Sequence, residues 1–323
     1  CALPISMDVP FQDEKTMAIF KGDLNAPITS IGIPEFGTSF VREMLKDAHP
    51  ETFAELVRIS GLSHGTNVWI KNAQDLIESG ITNLKGVIST RDDIMVNLIQ
   101  KGLDNKDAFT IMESVRKGRG LTPEQEEKMR KAKVEDWYID SCKKIEYMFP
   151  KAHAVAYVLM CYSIAYFKVH HPEAFDATFF TIKIADYPGD LICQGLEAIQ
   201  ERMQEIKDMG KEASPKDLST FSVLEVAEEM CARGINSSKV DLEKSDALTF
   251  KVLEKGFIQP PFRALEGVSD AHSLAIKDVV ENEEFISIED FRKKTKINKN
   301  ALESLKNHGV LDHLPDTNQI SFL

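Results

Sequence analysis

Apolar side chains recur along this chain at helical spacing, and residues that start or stop helices punctuate them. Phe40, Val41, Met44 and Leu45 fall on one face of a helix that begins after Thr38 and that Pro50 closes. Phe53, Leu56 and Val57 predict a second helix ending before Gly61, and Asn72 to Ser79 predicts a third. Thr90-Arg91-Asp92-Asp93 supplies a cap with an acid at the third helical position, ahead of Ile94, Met95, Leu98 and Ile99 on the buried face. Thr122-Pro123-Glu124-Gln125 is a fuller start signal, joining a cap, a proline at the first helical position and a glutamine that closes the box. From Lys151 to His170, apolar and aromatic residues surround the helical wheel, which predicts a central helix buried on nearly all sides and stopped by Pro172. Leu191, Ile192, Leu196, Ile199, Met203 and Ile206 predict a helix across Gly189 to Gly210. Between Thr249 and Ile258 the period shortens around Glu254-Lys255-Gly256, the pattern of a small hairpin, and Pro260-Pro261 marks a boundary.

A chain of 323 residues accommodates two domains, and 43% hydrophobic with 28% charged residues excludes disordered, collagen-like and disulfide-scaffold classes. The net charge of -12 argues against coating nucleic acid by bulk charge, so any nucleic-acid role must use local sites. The longest apolar stretch, Ala152 to Val169, is interrupted by His153, Tyr157, Ser163 and Lys168, which predicts a soluble protein with no membrane partner. Cys1, Cys142, Cys161, Cys193 and Cys231 lie far apart, without the spacing of a zinc site, and no secretory segment is expected. Reduced thiols in the cytoplasm are the expectation. His170 and His171 point in different directions on a helix, so no metal site is expected there. The phosphate-binding patterns GxGxxG and GxxxxGK[ST] are both absent.

Three segments carry candidate chemistry. Arg116, Lys117 and Arg119 surround Gly118 and Gly120 at a helix end, a cation set with the backbone freedom to wrap a triphosphate. The same residues also fit basic side chains complementing a helix dipole. The stretch from Gly61 to Thr66 brackets Ser63 and His64 with glycines, either as a nucleotide-contacting loop or as a structured turn. Leu265 to Ile276 has the layout of a helix-hairpin-helix element, whose turn at Gly267, Val268, Ser269 and Asp270 would direct amides at a DNA phosphate. Ser269 stands where a second glycine is usual and Ser273 where alanine is. A second, similar layout spans Asn298 to Leu311, preceded by the basic run Arg292-Lys293-Lys294-Thr295-Lys296. Gln319-Ile320-Ser321-Phe322-Leu323 reads either as a peptide that docks in a partner's groove or as a frayed terminus.

The blocks Gly32-Ile33-Pro34-Glu35-Phe36-Gly37-Thr38, Ile59 to Thr66, Ile111 to Gly118, Trp137 to Lys144 and Phe149 to Ala154 resemble the C-terminal part of the PolC-type, Gram-positive replicative DNA polymerase III alpha subunits. The resemblance runs from about Met7 onward. It implies a mainly α fold: helical polymerase fingers, then a small helix-hairpin-helix DNA-binding domain, with a short β-hairpin between. The implied division is fingers over 7–184, a helical connector over 185–255, a tandem helix-hairpin-helix domain over 256–316 and a clamp-binding tail over 317–323. Residues 1–6 depart from the family, and Ala2-Leu3-Pro4-Ile5 is what an adapter sequence would encode, so they are read as an artefact. The resemblance assigns Arg116, Lys117 and Arg119, with Arg91 and Lys151, to the phosphates of an incoming dNTP, and Ser63 and His64 to the nucleotide or template pocket. It assigns Gly267, Val268, Ser269, Asp270 and Lys277 to duplex DNA, and Gln319, Ile320, Phe322 and Leu323 to the sliding clamp. In that family, palm carboxylates hold two magnesium ions, and no pair here replaces them. The expectation is a DNA-directed DNA polymerase segment, inactive alone, whose partners are primer-template DNA, dNTP, the clamp and other replisome subunits. The competing reading is a non-catalytic helix-hairpin-helix DNA-binding or scaffold protein. A stand-alone enzyme using His64 or His153 as a base lacks an accompanying nucleophile or metal set.

Overall fold

The structure, a computed structural model, describes residues 9–23 and 25–317. The expectations for residues 1–6 and for the tail residues Gln319, Ile320, Phe322 and Leu323 lie outside the described residues. The chain forms two compact units, Cys1–Val169 and His170–Leu323.

The first unit is helical: α1 (Glu14–Ala18), α2 (Ser39–Ala48), α3 (Phe53–His64), α4 (Gln74–Glu78), α5 (Arg91–Gln100), α6 (Asn105–Arg116), α7 (Pro123–Lys131), α8 (Asp136–Lys144) and most of α9 (Lys151–His170). The start signals act as expected. Thr38 Oγ1 accepts from Val41 N at 3.4 Å, and Thr122 with Gln125 closes a reciprocal box under Pro123. Gly61 does not end α3, which continues to His64. A Cβ at Gly61 would lie 2.6 Å from the Ser89 carbonyl oxygen, so glycine is present for the close approach of another segment and not as a stop. The third expected helix, Asn72 to Ser79, forms directly after a kink in which Ile70 is extended and Lys71 left-handed (φ 57).

The helix α9 differs most from expectation. Ala154, Val158, Cys161, Tyr162, Ala165 and Lys168 face the core, whereas Tyr157, Leu159 and Met160 are exposed. By length and composition it would suffice to cross a membrane, yet its inner face is the core of this unit. Tyr162 sits there among Phe11, Phe20 and Phe53, with ring centroids 5.7, 6.2 and 5.8 Å away, and its hydroxyl donates to Asp13 O at 3.2 Å. A wheel that is apolar all round does not reveal which side is covered.

The second unit holds α10 (Pro172–Ile182), α11 (Gly189–Ile192), α12 (Leu196–Met209), α13 (Pro215–Ala232), α14 (Asp270–Asn282), α15 (Ile288–Thr295) and α16 (Lys299–Asn307). The single helix expected across Gly189 to Gly210 is two, divided at Gly195, whose φ of +96 lies outside the helical region. The hairpin forms between β2 (Lys251–Glu254) and β3 (Phe257–Gln259), turning at Gly256 (φ +82). A two-residue strand β1 (Asn236–Ser237) adds to β3 in parallel, giving the order β1-β3-β2. Asp176 on α10 accepts two bonds, at 2.9 and 2.8 Å, from Arg233 beyond α13, and this ion pair is buried. Val240, Phe262, Val268, Ile276, Phe291, Ile297, Ala301 and Leu305 join in one core that fastens α14, α15 and α16 together.

Candidate functional site

Every nucleotide-site candidate from the sequence lies in the first unit, and the segment 146–151 ties them together. On one side, α6 ends at Arg116 and the chain turns through Lys117, Gly118, Arg119 and Gly120. Gly118 has φ +67, and a Cβ there would lie 2.6 Å from Glu146 O, so this turn rests directly on the segment. Glu146 N donates to Thr66 O at 3.1 Å and Thr66 N to Tyr147 O at 3.0 Å, which joins the same segment to the residues after α3. Arg91 N donates to Phe149 O at 3.3 Å, and Lys151 N to Asp92 Oδ2 at 2.8 Å, which brings in the start of α5.

The cations differ in what they hold. Arg116 Nη2 donates to Glu113 Oε2 at 2.9 Å, its Nε binds the other Glu113 oxygen, and Lys117 Nζ lies 2.8 Å from Glu113 Oε2. The hydrogen bonds from Arg116 and Lys117 hold the Glu113 carboxyl down to about 2, well below the usual range. Glu113 therefore fixes two cations with one carboxylate. Arg119 is exposed, and no described residue pairs with its guanidinium or with that of Arg91. Lys151 Nζ is 3.5 Å from Asp93 Oδ1, and Arg58 Nη1 is 3.5 Å from Asp93 Oδ2. Burial alone would raise the Asp93 carboxyl, but Arg58, the Ser89 hydroxyl, the Thr90 amide and Lys151 together hold it below its ordinary value.

Ser63 and His64 sit in the last turn of α3, not in a loop. Ser63 Oγ donates to Ser60 O at 3.0 Å. His64 Nδ1 is 2.7 Å from Ser60 O, and its Nε2 is 2.6 Å from Glu35 Oε2. With both nitrogens engaged, the imidazole offers its face. That face stacks on Phe149 (4.7 Å between centroids, 22° between planes), and Phe149 stacks in turn on Tyr157 of α9 (6.0 Å, 26°). Tyr157, which also lies 6.2 Å from His64 and nearly parallel to it, is 40% exposed, so this ring cluster reaches the surface. Sequence reasoning did not single out Glu35, Glu113, Phe149 or Tyr157 as site residues. The spacing of Glu113 from Arg116 and Lys117, three and four residues along a helix, carried the only readable signal.

In the second unit, the turn before α14 leaves Gly267, Ser269 and Asp270 exposed and buries Val268 in the core. Ser269 Oγ caps α14 by accepting from His272 N at 3.2 Å. The amides of Gly267 and Asp270 have no hydrogen-bond partner among the described residues. Lys277 turns inward, donating to Ser245 O at 3.1 Å and lying 3.2 Å from Glu281. The element before this turn is a single 3₁₀ turn, Phe262–Ala264, and not a full helix. A complete helix-turn-helix joins α15 to α16 through Lys296 (φ 55), Ile297 and Asn298, and the Asn298 side chain accepts from Ala301 N at 2.9 Å. Arg292, Lys293, Lys296 and Lys299 are exposed around it, and they make the better-formed cationic surface. Among the described residues no group of three or more His, Cys, Asp or Glu side chains is placed to hold a metal ion.

Residues 5–136 match the bacterial DNA polymerase III alpha subunit finger domain, and residues 234–320 match a helix-hairpin-helix motif. Over 97% of its length, the chain is 52% identical to the PolC-type DNA polymerase III of Caldanaerobacter subterraneus subsp. tengcongensis. The corresponding figures are 51% for Clostridium perfringens and 50% for Bacillus subtilis, again over 97% of the chain. The chain spans 23%, 22% and 22% of the lengths of these three relatives. A finger domain followed by a helix-hairpin-helix motif, on a mainly helical fold and with half of all positions identical, makes this chain a member of the PolC-type DNA polymerase III family.

Proposed function

We propose that this chain is the part of a template-directed DNA polymerase that binds the incoming dNTP and holds the primer-template duplex. One observation carries the reading: the cation turn, the start of α5 and the aromatic stack all converge on the segment 146–151. Phosphoryl transfer depends on positioning and on charge stabilisation, and a cation set beside a flat aromatic surface suits a triphosphate joined to a base. Arg116, Lys117 and Arg119 take the phosphates, Arg91 and Lys151 flank them, and the face of His64 with Phe149 and Tyr157 lies against the base. Glu113 holds Arg116 and Lys117 in place before the ligand arrives, which lowers the ordering cost of binding.

The proposed division remains fingers over 7–184, connector over 185–255, duplex-binding domain over 256–316 and clamp-binding tail over 317–323. The exposed Gly267 and Asp270 amides and the cations around Lys296 support a sequence-independent grip on phosphate. In this reading the two magnesium ions are held by palm carboxylates outside this chain. Alone, the segment is inactive. The cytoplasm, the sliding clamp and other replisome subunits complete the proposed setting.

The test is steady-state kinetics of the intact polymerase carrying Arg116→Ala. Loss of a charged phosphate contact of about 1.5–3 kcal/mol raises KM for dNTP roughly tenfold or more. An unchanged KM would refute the assignment. For the duplex, Gly267→Val is expected to weaken binding equally for every DNA sequence, and a sequence-dependent loss contradicts the phosphate reading.

A further inference from the structure

The loop 29–37 is built with more restraint than its position ahead of α2 requires. Phe36 N donates to Pro34 O at 2.7 Å, closing a three-residue turn centred on Glu35, whose φ is +65. For a residue other than glycine this is the strained sense of the γ-turn. Such a conformation persists where surrounding contacts over-determine it.

Those contacts are present. Ile33 and Phe36, on either side of the turn, are 2% and 1% exposed. Ser30 Oγ donates to Phe36 O at 2.8 Å, and Gly37 N to Ile33 O at 2.8 Å. A Cβ at Gly37 would meet that Ile33 oxygen at 2.8 Å, so the loop closes this tightly only with glycine there. From α9, the fully buried Lys168 donates its ammonium to Thr29 O at 2.8 Å and to Ile31 O at 2.6 Å. A buried lysine spent on two loop carbonyls, together with a strained glutamate, fixes one thing at the surface: the position of the Glu35 carboxylate. That carboxylate meets His64 Nε2 at 2.6 Å.

Ser60 O holds the other ring nitrogen from within α3. One hydrogen bond leaves an imidazole free to swing about its Cβ–Cγ bond. Polar contacts on opposite sides of the ring, Ser60 O and Ser63 Oγ at Nδ1 and Glu35 Oε2 at Nε2, restrain its plane, and here they hold it within 22° of Phe149.

We propose that Glu35 is a positioning residue for nucleotide binding: it locks the His64 plane so that His64, Phe149 and Tyr157 form one fixed stack beside the cation turn. Lys168 and the loop 29–37 hold Glu35 in place. The inference rests on the nucleotide-binding reading above. It assigns to Glu35 no contact with substrate and no proton transfer.

The test compares Glu35→Ala with Glu35→Gln. Both substituents carry a Cβ at the same positive φ, so the backbone cost is shared, and only glutamine can hydrogen-bond His64. In the intact polymerase, Glu35→Ala is expected to raise KM for dNTP about tenfold with kcat within about twofold, and Glu35→Gln to restore KM to within about twofold of the parent. On the chain studied here, the imidazole nitrogen resonances of His64 are expected to move in Glu35→Ala and to stay near the parent in Glu35→Gln. Equal KM increases in the two variants, or no increase in either while Arg116→Ala still raises KM, would overturn the positioning role and leave the nucleotide reading standing. If Arg116→Ala also leaves KM unchanged, the nucleotide reading itself fails.

Discussion

Gly118 and Gly120 offer a controlled measurement of how tightly the cation turn is seated. Both have φ +67, so an alanine at either position meets the same left-handed backbone penalty of about 1–2 kcal/mol. Their surroundings differ. A Cβ at Gly120 has nothing within 4 Å, whereas one at Gly118 meets Glu146 O at 2.6 Å and Glu146 Cα at 3.1 Å. Those are backbone atoms of a segment pinned on its far side by Thr66, so they cannot rotate away as a side chain would. Overpacking of this kind costs a further 1–3 kcal/mol or so, which makes the expected total about 2–5 kcal/mol for Gly118→Ala against about 1–2 for Gly120→Ala. Urea unfolding followed by tryptophan fluorescence isolates the effect, because Trp69 and Trp137 are the only tryptophans and both belong to the first unit. With a slope of about 1–3 kcal/mol per molar urea, the two midpoints are expected to differ by roughly 1 M. Coincident midpoints would show that the turn does not rest on Glu146, and the convergence on the segment 146–151 would lose one of its ties.

Other consequences follow from individual side chains. Because Arg116 and Lys117 hold Glu113 down to about 2, its stabilising effect is fully present above the ordinary carboxylate value and is lost as the pH falls toward about 2. The urea-midpoint gap between the parent and Glu113→Gln is therefore expected to shrink from about pH 5 to about pH 3, and a constant gap would contradict the pairing. Asp176→Ala leaves the buried Arg233 with Glu229, 4.0 Å from its Nε, in place of the carboxylate that binds its Nη2 twice, and is expected to destabilise the second unit by about 3 kcal/mol, read from near-ultraviolet circular dichroism of its aromatic residues. A loss below about 1 kcal/mol would mean that the pair is solvated. Burial pushes the Cys161 thiol up to about 12 and Cys142 higher still, so a thiol reagent at about pH 8 is expected to leave both unmodified in the folded chain. Their labelling ahead of unfolding, identified by mass spectrometry, would refute that burial.

Local signals in the sequence were read well, and tertiary roles were read poorly. Thr38, Thr90 and Thr122 mark true helix starts because each pairs with a residue only three positions away, Thr90 through its amide to the Asp93 carboxylate and the others through their hydroxyls. Gly61 misleads because its reason is Ser89, which is remote in sequence. The outer face of α9 misleads because Tyr157, Leu159 and Met160 are as apolar as the residues facing the core, and periodicity carries no sign of which side is covered. Gly195 divides a helix that its flanking pattern supports, since a positive φ leaves no trace in hydropathy. Among site residues, Arg116 and Lys117 stand out by composition and spacing. Glu35 was visible only as part of a family-like block, because its meaning depends on a turn and on a histidine in another helix. Lys277, chosen for its charge, instead serves a buried carbonyl.

The same contrast explains why the candidate site is spread over so much of the sequence. No local stretch supplies both a cation set and a flat aromatic surface, because the first needs a helix end and the second needs rings from separate helices. The chain resolves this by seating one irregular segment, 146–151, against each contributor, through hydrogen bonds to Thr66, Arg91 and Asp92 and through close packing on Gly118. Its backbone joins Thr66 and Arg91, Gly118 leaves room beneath the cation turn, and Phe149 packs its ring against both His64 and Tyr157, which also stack on each other at 6.2 Å. Loops of this kind are normally mobile, and mobility would spoil both the charge placement and the stack. Buried polar restraints act on the neighbouring elements: Lys168 holds the loop 29–37, which bears Glu35, and Asp93, held by Arg58 and Ser89, fixes the start of α5. Polar groups of such cost in a helical core are hard to account for by stability alone, since apolar residues would fill the space at lower desolvation cost. Their placement on the loop that bears Glu35 and on the start of α5 makes sense when His64 and Arg91 must be held in one arrangement before a ligand arrives.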